Sequence, residues 1–153
     1  MNLDVRPATD ADVALMVRWA QAMALETEHK QLDGATLAAG IGTGLADPQR
    51  ARYFIATVDG EPAGTLMLTY EWSDWRNGWW WWIQSVYVAP AQRRKGVYRA
   101  LYSHVLALAR ADSAVCGLRL YVERENTSAQ RTYEFLGMTD AGYRMYEAET
   151  RRG

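Results

Sequence analysis

The chain has 153 residues, 49% of them hydrophobic, enough for one ordinary globular domain whose core needs neither metal nor disulfide. Its net charge of -1, from 17 Lys and Arg against 18 Asp and Glu, excludes a surface broadly built to track nucleic-acid phosphates. The lone Cys116 cannot form an internal disulfide, no Cys/His spacing offers a metal site, and no run of about 18 apolar residues occurs; a cytoplasmic protein with no membrane partner and no targeting segment is expected.

Residues 3–6 read as a short strand. Thr9 and Asp12, three apart and followed by Val13, Leu15, Met16, Val17 and Trp19, form a Ser/Thr-x-x-acid helix start and predict a helix over 10–25. A charged bend over 26–33 and a second helix over 35–45 follow, the latter stopped by Asp47-Pro48 and weakened by Gly40, Gly42 and Gly44. Residues 53–58 and 63–72 read as strands joined by an Asp59-Gly60 hairpin turn, and a third strand over 79–88 completes a meander. Val97, Leu101, Val105 and Leu108 recur at helical spacing, predicting a helix over 93–111 with one core face. His104 falls on its polar side and is expected at the surface, while His29 belongs to the charged bend. A strand over 118–122 comes next. Asn126 then caps a helix over 127–136, which ends at Gly137 as a left-handed residue. A closing strand over 139–147 and a polar tail over 148–153 complete a single domain over 1–153. The order β-α-α-β-β-β-α-β-α-β predicts the α/β (α+β) class, with a mixed sheet covered by helices on both faces.

The segment from Val86 to Tyr102 has the chemistry of an anion site. A β-branched strand runs into a basic turn and then a helix. Gly96 lets backbone N–H groups approach an anion, the helix dipole adds partial positive charge, and Arg93, Arg94, Lys95 and Arg99 add formal charge. Alone, such a turn is not specific, since a solvated helix start has the same residues. Arg93-x-x-Gly96-x-Tyr98 after Val86-x-Val88-x-Pro90, followed by Asn126-x-x-Ala129-x-x-x-Tyr133 and Leu136-Gly137-Met138, resembles the GNAT superfamily of acyl-CoA-dependent N-acetyltransferases. In element order the resemblance runs over residues 3–147.

It implies a mostly antiparallel GNAT-like sheet, acetyl-CoA as co-substrate, and a cofactor site made of Val86, Tyr87, Val88, Arg93, Arg94, Lys95, Gly96, Val97, Tyr98, Asn126, Ala129 and Tyr133. Backbone groups of Val86 and Val88 would pair with the pantetheine arm. Tyr98 departs from the family, whose turn usually ends in Gly or Ala, so its ring must point away from the phosphates. The implied reaction is direct transfer of an acetyl group to an amine. The Val86 N–H would stabilise the oxyanion and Tyr133 would protonate the leaving thiolate. Asn126 can both cap its helix and contact the cofactor. Gln84-Ser85 stands where many members carry a glutamate that deprotonates the amine, and an amide cannot take the proton. Glu71 is the first candidate base, with Glu26, Glu28 and Asp74 behind it and a water chain to solvent as an equal alternative.

Six of the seven tryptophans fall between Trp72 and Trp82, beside Tyr70. They are either core filling with a dimer contact, or an acceptor pocket in which indoles surround an amine and an acid offsets its charge. The candidate acceptor residues are Glu26, Glu28, Tyr70, Glu71, Trp72 and Asp74. A small-molecule amine is favoured over an exposed protein amine, with no metal and no nucleic acid involved. The competing expectation is a non-catalytic acyl-CoA-binding module of the same fold. The aromatic hairpin and residues 143–147 are the two stretches that could build a homodimer.

Overall fold

The elements follow one another as β1 (Leu3–Pro7), α1 (Val13–Glu28), α2 (Gly34–Leu45), β2 (Arg52–Val58), β3 (Glu61–Ser73), β4 (Gly78–Val88), α3 (Val97–Ala111), β5 (Val115–Arg119) and α4 (Thr127–Phe135), in a computed structural model that describes residues 1–151. The backbone divides into two compact units, Met1–Tyr121, which holds the whole sheet, and the residues from Val122 on. The sheet order is β1-β2-β3-β4-β5. Its first four strands are antiparallel, whereas β4 and β5 run parallel because α3 connects them as a crossover.

Local chemistry explains most element ends. A 3-10 turn at Asp10–Asp12 leads into α1. The buried Asp12 carboxylate accepts from the Thr9 backbone N–H at 2.8 Å and from two Arg6 guanidinium nitrogens at 2.8 and 3.0 Å. Helix α1 continues past its predicted end to Glu28, so Glu26 and Glu28 lie on its last turn and not in a bend; His29, at φ 55°, then ends it in the left-handed conformation. In α2 the three glycines are tolerated because Asp33 caps the helix, accepting from the Thr36 N–H at 2.9 Å. At Gly44 a side chain has no room, since a Cβ would meet the Tyr53 hydroxyl oxygen at 2.7 Å. The Asp59-Gly60 turn has φ 51° and 84°, the pair of positive values that a tight hairpin requires.

Alternation along the strands sorts the core into two layers. Gly64, Leu66 and Leu68 of β3 turn toward α3, where a Cβ on Gly64 would lie 3.1 Å from Val97 Cγ1. Phe54, Leu66, Leu68, Val97, Leu101 and Val105 are almost fully buried, each contributing about 1.5–3 kcal/mol. On the opposite face Met16 and Trp19 of α1 and Ile41 of α2 pack with Tyr53, Ile55 and Tyr87 of the sheet. Helices therefore cover both faces, as expected.

Four further expectations are corrected. Helix α3 starts at Val97 and not at residue 93, because Arg94 and Gly96 adopt left-handed conformations that no helix can include. Strand β5 forms at Val115–Arg119, earlier than the apolar run at 118–122, because its register is set by Gly117 lying under the Trp80 ring; a Cβ there would approach Trp80 Cζ3 to 2.5 Å. His104 is half-buried, not at the surface: its ring meets Phe54 edge-on at 5.3 Å, and burial lowers its pKa. The strand expected over 139–147 is absent from the described residues. Within the second unit those residues form no ladder among the described residues, and both Tyr143 and Tyr146 are exposed. In its own unit α4 is the regular element. Of the polar tail over 148–153, residues 152–153 lie outside the described residues. No helix among the described residues is long and apolar enough to cross a membrane.

Candidate active site

A fork opens between β4 and β5. Their ladder covers only Trp79 to Trp82, whose last partner is Arg119, while β4 itself continues to Val88. The parting coincides with a bulge: Met67 pairs with Ser85 and Leu68 with Ile83, leaving Gln84 as the extra residue of β4. Gln84 is held there by donating from Nε2 to Thr69 Oγ1 at 2.8 Å. Beyond the bulge, peptide groups alternate sides. The Ala89 N–H donates to the Ala63 carbonyl at 2.9 Å and the Tyr87 carbonyl faces Gly64, so Val86 and Val88 turn their peptide groups away from β3, toward the open side. The Val88 carbonyl accepts from Arg93 Nε at 3.0 Å.

The open segment leads to the N-terminus of α3. A 3-10 turn at Pro90–Gln92 and the left-handed residues Arg94 and Gly96 swing the chain around so that α3 starts at Val97, which is buried against the sheet. Gly96 is exposed, and a Cβ built on it would have open space on every side within 4 Å. The first helical bond runs from the Ala100 N–H to the Gly96 carbonyl at 3.0 Å, so the N–H groups of the first turn have no intrahelical acceptor and carry the positive end of the dipole. Arg94, Lys95 and Arg99 are exposed around this turn, and Lys95 Nζ donates to Gln92 Oε1 at 3.1 Å. Tyr98 is half-buried.

Arg93 is placed differently from its basic neighbours. Its guanidinium donates to Glu26 Oε2 at 2.9 Å and lies 5.5 Å from the centre of the Tyr87 ring. The Tyr87 hydroxyl donates to Glu26 Oε1 at 3.0 Å. The Arg93 hydrogen bond holds the Glu26 carboxyl below the usual carboxylate range, while burial and then Glu26 raise the Tyr87 phenol.

A second carboxylate sits at the vertex of the fork. Glu71 Oε1 accepts from Trp82 Nε1 at 3.0 Å and from Arg119 Nη1 at 2.8 Å; these bonds, Trp82 first, lower its pKa. Arg119 also lies 3.9 Å from the centre of the Trp80 ring, which Arg76 approaches at 4.9 Å.

The sheet divides the expected acceptor residues. Glu71, Trp80 and Trp82 lie on the face shared with α1 and Glu26. Tyr70 and Trp72 point to the α3 face, where Tyr70 meets Trp79 and Trp81, and Trp72 meets Trp79 at 5.0 Å. Tyr70 donates its hydroxyl to the Pro48 carbonyl at 2.7 Å. Glu28 is paired with Lys30 at 3.6 Å, and Asp74 is exposed in the hairpin turn. Sequence patterning did not single out Arg119, Arg76, Thr69 or Gly117; the signal that could have found their neighbourhood is a glycine that leaves room for one ring of the preceding tryptophan run.

In the second unit, Asn126 caps α4 by accepting from the Ala129 N–H at 3.1 Å. Tyr133 follows Ala129 by one helical turn, and its carbonyl accepts from the Met138 N–H at 3.0 Å beyond the left-handed Gly137.

The architecture is thus an α/β fold with a mixed sheet parted at a β4 bulge and a glycine-opened helix at the end of the parting. The acetyltransferase (GNAT) family profile matches residues 14–138, and the chain belongs to this family. A solved structure described as a possible acetyltransferase from Clostridium difficile 630 is 39% identical, with a TM-score of 0.92 over 99% of this chain and 100% of that one. Two others share the fold. A ribosomal-protein-alanine N-acetyltransferase from Brucella melitensis biovar Abortus 2308 is 18% identical, with a TM-score of 0.75 over 97% of this chain and 100% of that one. An aminoglycoside N-acetyltransferase in complex with CoA is 16% identical, with a TM-score of 0.78 over 97% of this chain and 95% of that one. No curated protein matches the sequence.

Proposed function

We propose that this protein is an acetyl-CoA-dependent N-acetyltransferase that acts on a primary amine, a small molecule in preference to a protein. The observation that supports it most is the continuity of the open β4 segment with the N-terminus of α3. An extended amide-bearing arm can add to Val86 and Val88 as a strand, and a diphosphate can sit on the first-turn N–H groups beyond Gly96. Arg94, Lys95 and Arg99 supply the surrounding charge. The 39% identity to a chain described as a possible acetyltransferase agrees with this assignment.

Acetyl-CoA supplies an activated thioester. The chain's own task is to orient it, to offer the Val86 N–H to the carbonyl oxygen and to supply a proton for the leaving sulfur, a role we give to the Tyr133 phenol. The amine must arrive without its extra proton. Glu26 and Glu71 are both tied to guanidinium groups and held below the usual carboxylate range, which makes them weak bases. Water leading to solvent is the better route for that proton. The half-buried Trp82, Gln84 and Ser85, on the α1 face beside the bulge, are the side chains we expect an acceptor to meet.

The test is release of free CoA thiol across a panel of small amines. Release that requires an amine is expected. Binding of acetyl-CoA with no amine-dependent release from any member would support the non-catalytic module instead.

A further inference from the structure

We propose that Glu71 and Arg119 form a clamp that fixes where the β4–β5 fork begins, and that Glu71 is a positioning residue for the acyl-bearing end of acetyl-CoA. This rests on the use of acetyl-CoA proposed above.

Glu71 belongs to β3, yet its carboxylate reaches across β4 to Arg119 at the end of β5, 2.8 Å away. The same oxygen accepts from Trp82 Nε1 at 3.0 Å, and the Arg119 guanidinium lies 3.9 Å from the centre of the Trp80 ring. One carboxylate thus gathers side chains from both strands of the fork. It does so at the last rung, since Trp82 and Arg119 are the final β4–β5 partners before the Gln84 bulge. A short parallel ladder frays at its end unless side chains hold it. Trp80 resting on Gly117 anchors the ladder two rungs earlier, so the clamp closes a vertex that is packed from below and tied from above. An arm that adds to β4 from the α3 end can advance only to that vertex. Moving the vertex by one rung would shift the arm's end by about 3.3 Å, enough to carry a reacting carbon out of line.

The experiment follows amide hydrogen exchange in the ligand-free chain and CoA affinity by calorimetry for wild type, Glu71→Ala, Arg119→Ala, the double variant and Glu71→Gln. Each single alanine variant is expected to speed exchange at the Trp82 end of the ladder, and to weaken CoA binding, by about tenfold, with the double variant no worse than either single. Glu71→Gln, whose amide oxygen still accepts both bonds, is expected to keep exchange and affinity within about threefold of wild type, and its kcat/KM profile is expected to keep the acid limb of the wild type. Unchanged exchange and affinity in both alanine variants would overturn the clamp. Loss of the acid limb in Glu71→Gln would overturn the positioning role, because it would make Glu71 the base. A wild-type chain that binds no CoA, while the alanine variants still speed exchange, would defeat the acetyl-CoA assignment and the positioning role with it. The exchange result tells that failure apart from failure of the clamp.

Discussion

Glu26 and Arg93 meet at 2.9 Å and tie the last turn of α1 to the turn that precedes α3. The guanidinium that the sequence places among the phosphate-facing cations is therefore engaged with a carboxylate and with the Val88 carbonyl. The pair is roughly half exposed, so its own contribution to stability is small, about 0–1 kcal/mol.

From this it follows that the cations around the α3 N-terminus are unequal. Arg94→Ala with Lys95→Ala is expected to weaken CoA binding and flatten its salt dependence, whereas Arg93→Ala alone is expected to leave the salt slope nearly unchanged. Calorimetry across a salt series checks both. Equal flattening by all three positions would place Arg93 with the phosphates after all.

Two glycines should respond in opposite directions. Gly64→Ala puts a Cβ 2.7 Å from the Tyr87 carbonyl oxygen, a backbone atom that cannot step aside, and is expected to cost about 1–3 kcal/mol. Gly42→Ala, inside α2 with open space around the new Cβ, is expected to stabilise by about 0.5–1 kcal/mol. Urea unfolding of the two variants is the measurement, and a destabilised Gly42→Ala would contradict the account of α2.

Stability should fall on acidification in two separate windows. Burial lowers the His104 pKa, so the native chain favours the neutral ring; stability is complete above the unfolded value near about 6.5 and is lost as pH falls through the native value. The Arg6 hydrogen bond lowers the Asp12 pKa, so that contribution is present above about pH 4 and is lost below it. His104→Gln is expected to remove the first decline. Asp12→Asn is expected to remove the second and to cost about 1–3 kcal/mol at neutral pH, because the Arg6 charge loses its partner. Unfolding curves at stepped pH separate them, and a decline that begins below about pH 6.5 and survives His104→Gln would rule out His104 as its source.

Tyr133→Phe keeps the ring and removes only the proton donor. It is expected to lower turnover by about 10²–10⁴-fold with CoA affinity little changed. Steady-state kinetics beside calorimetry make the comparison, and turnover that stays at the wild-type level would take Tyr133 out of the acid role.

Much of the fold was legible because it is written in short-range signals. Thr9 and Asp12, Asp59-Gly60, and Asn126 with Gly137 each act within a few residues, and each marks the element end that it predicts. The helical spacing of Val97, Leu101 and Val105 likewise marks a buried face. What escaped depends on partners far away in the chain. The start of β5 is decided by Trp80 seeking the bare backbone of Gly117, and the apolar run at 118–122 carries no trace of that contact. Residues 139–147 alternate well enough for a strand, yet alternation cannot supply a neighbour to bond with. The Gly96 turn follows from local sequence, whereas the open edge at Val86 and Val88 was expected only through the family resemblance and depends on where β4 parts from β5. The division of Tyr70 and Trp72 from Glu71, and the pairing of Glu71 with Arg119, follow only from sheet register.

The central claim is that the open β4 segment and the α3 N-terminus together bind one extended ligand, and backbone amide resonances followed during a CoA titration test it most directly. Val86, Val88 and the residues from Gly96 to Arg99 should shift together along a single saturating curve, with β1 and the β2–β3 hairpin turn unmoved. Saturation without shifts at Val86 and Val88, or no saturation at millimolar CoA, would contradict it.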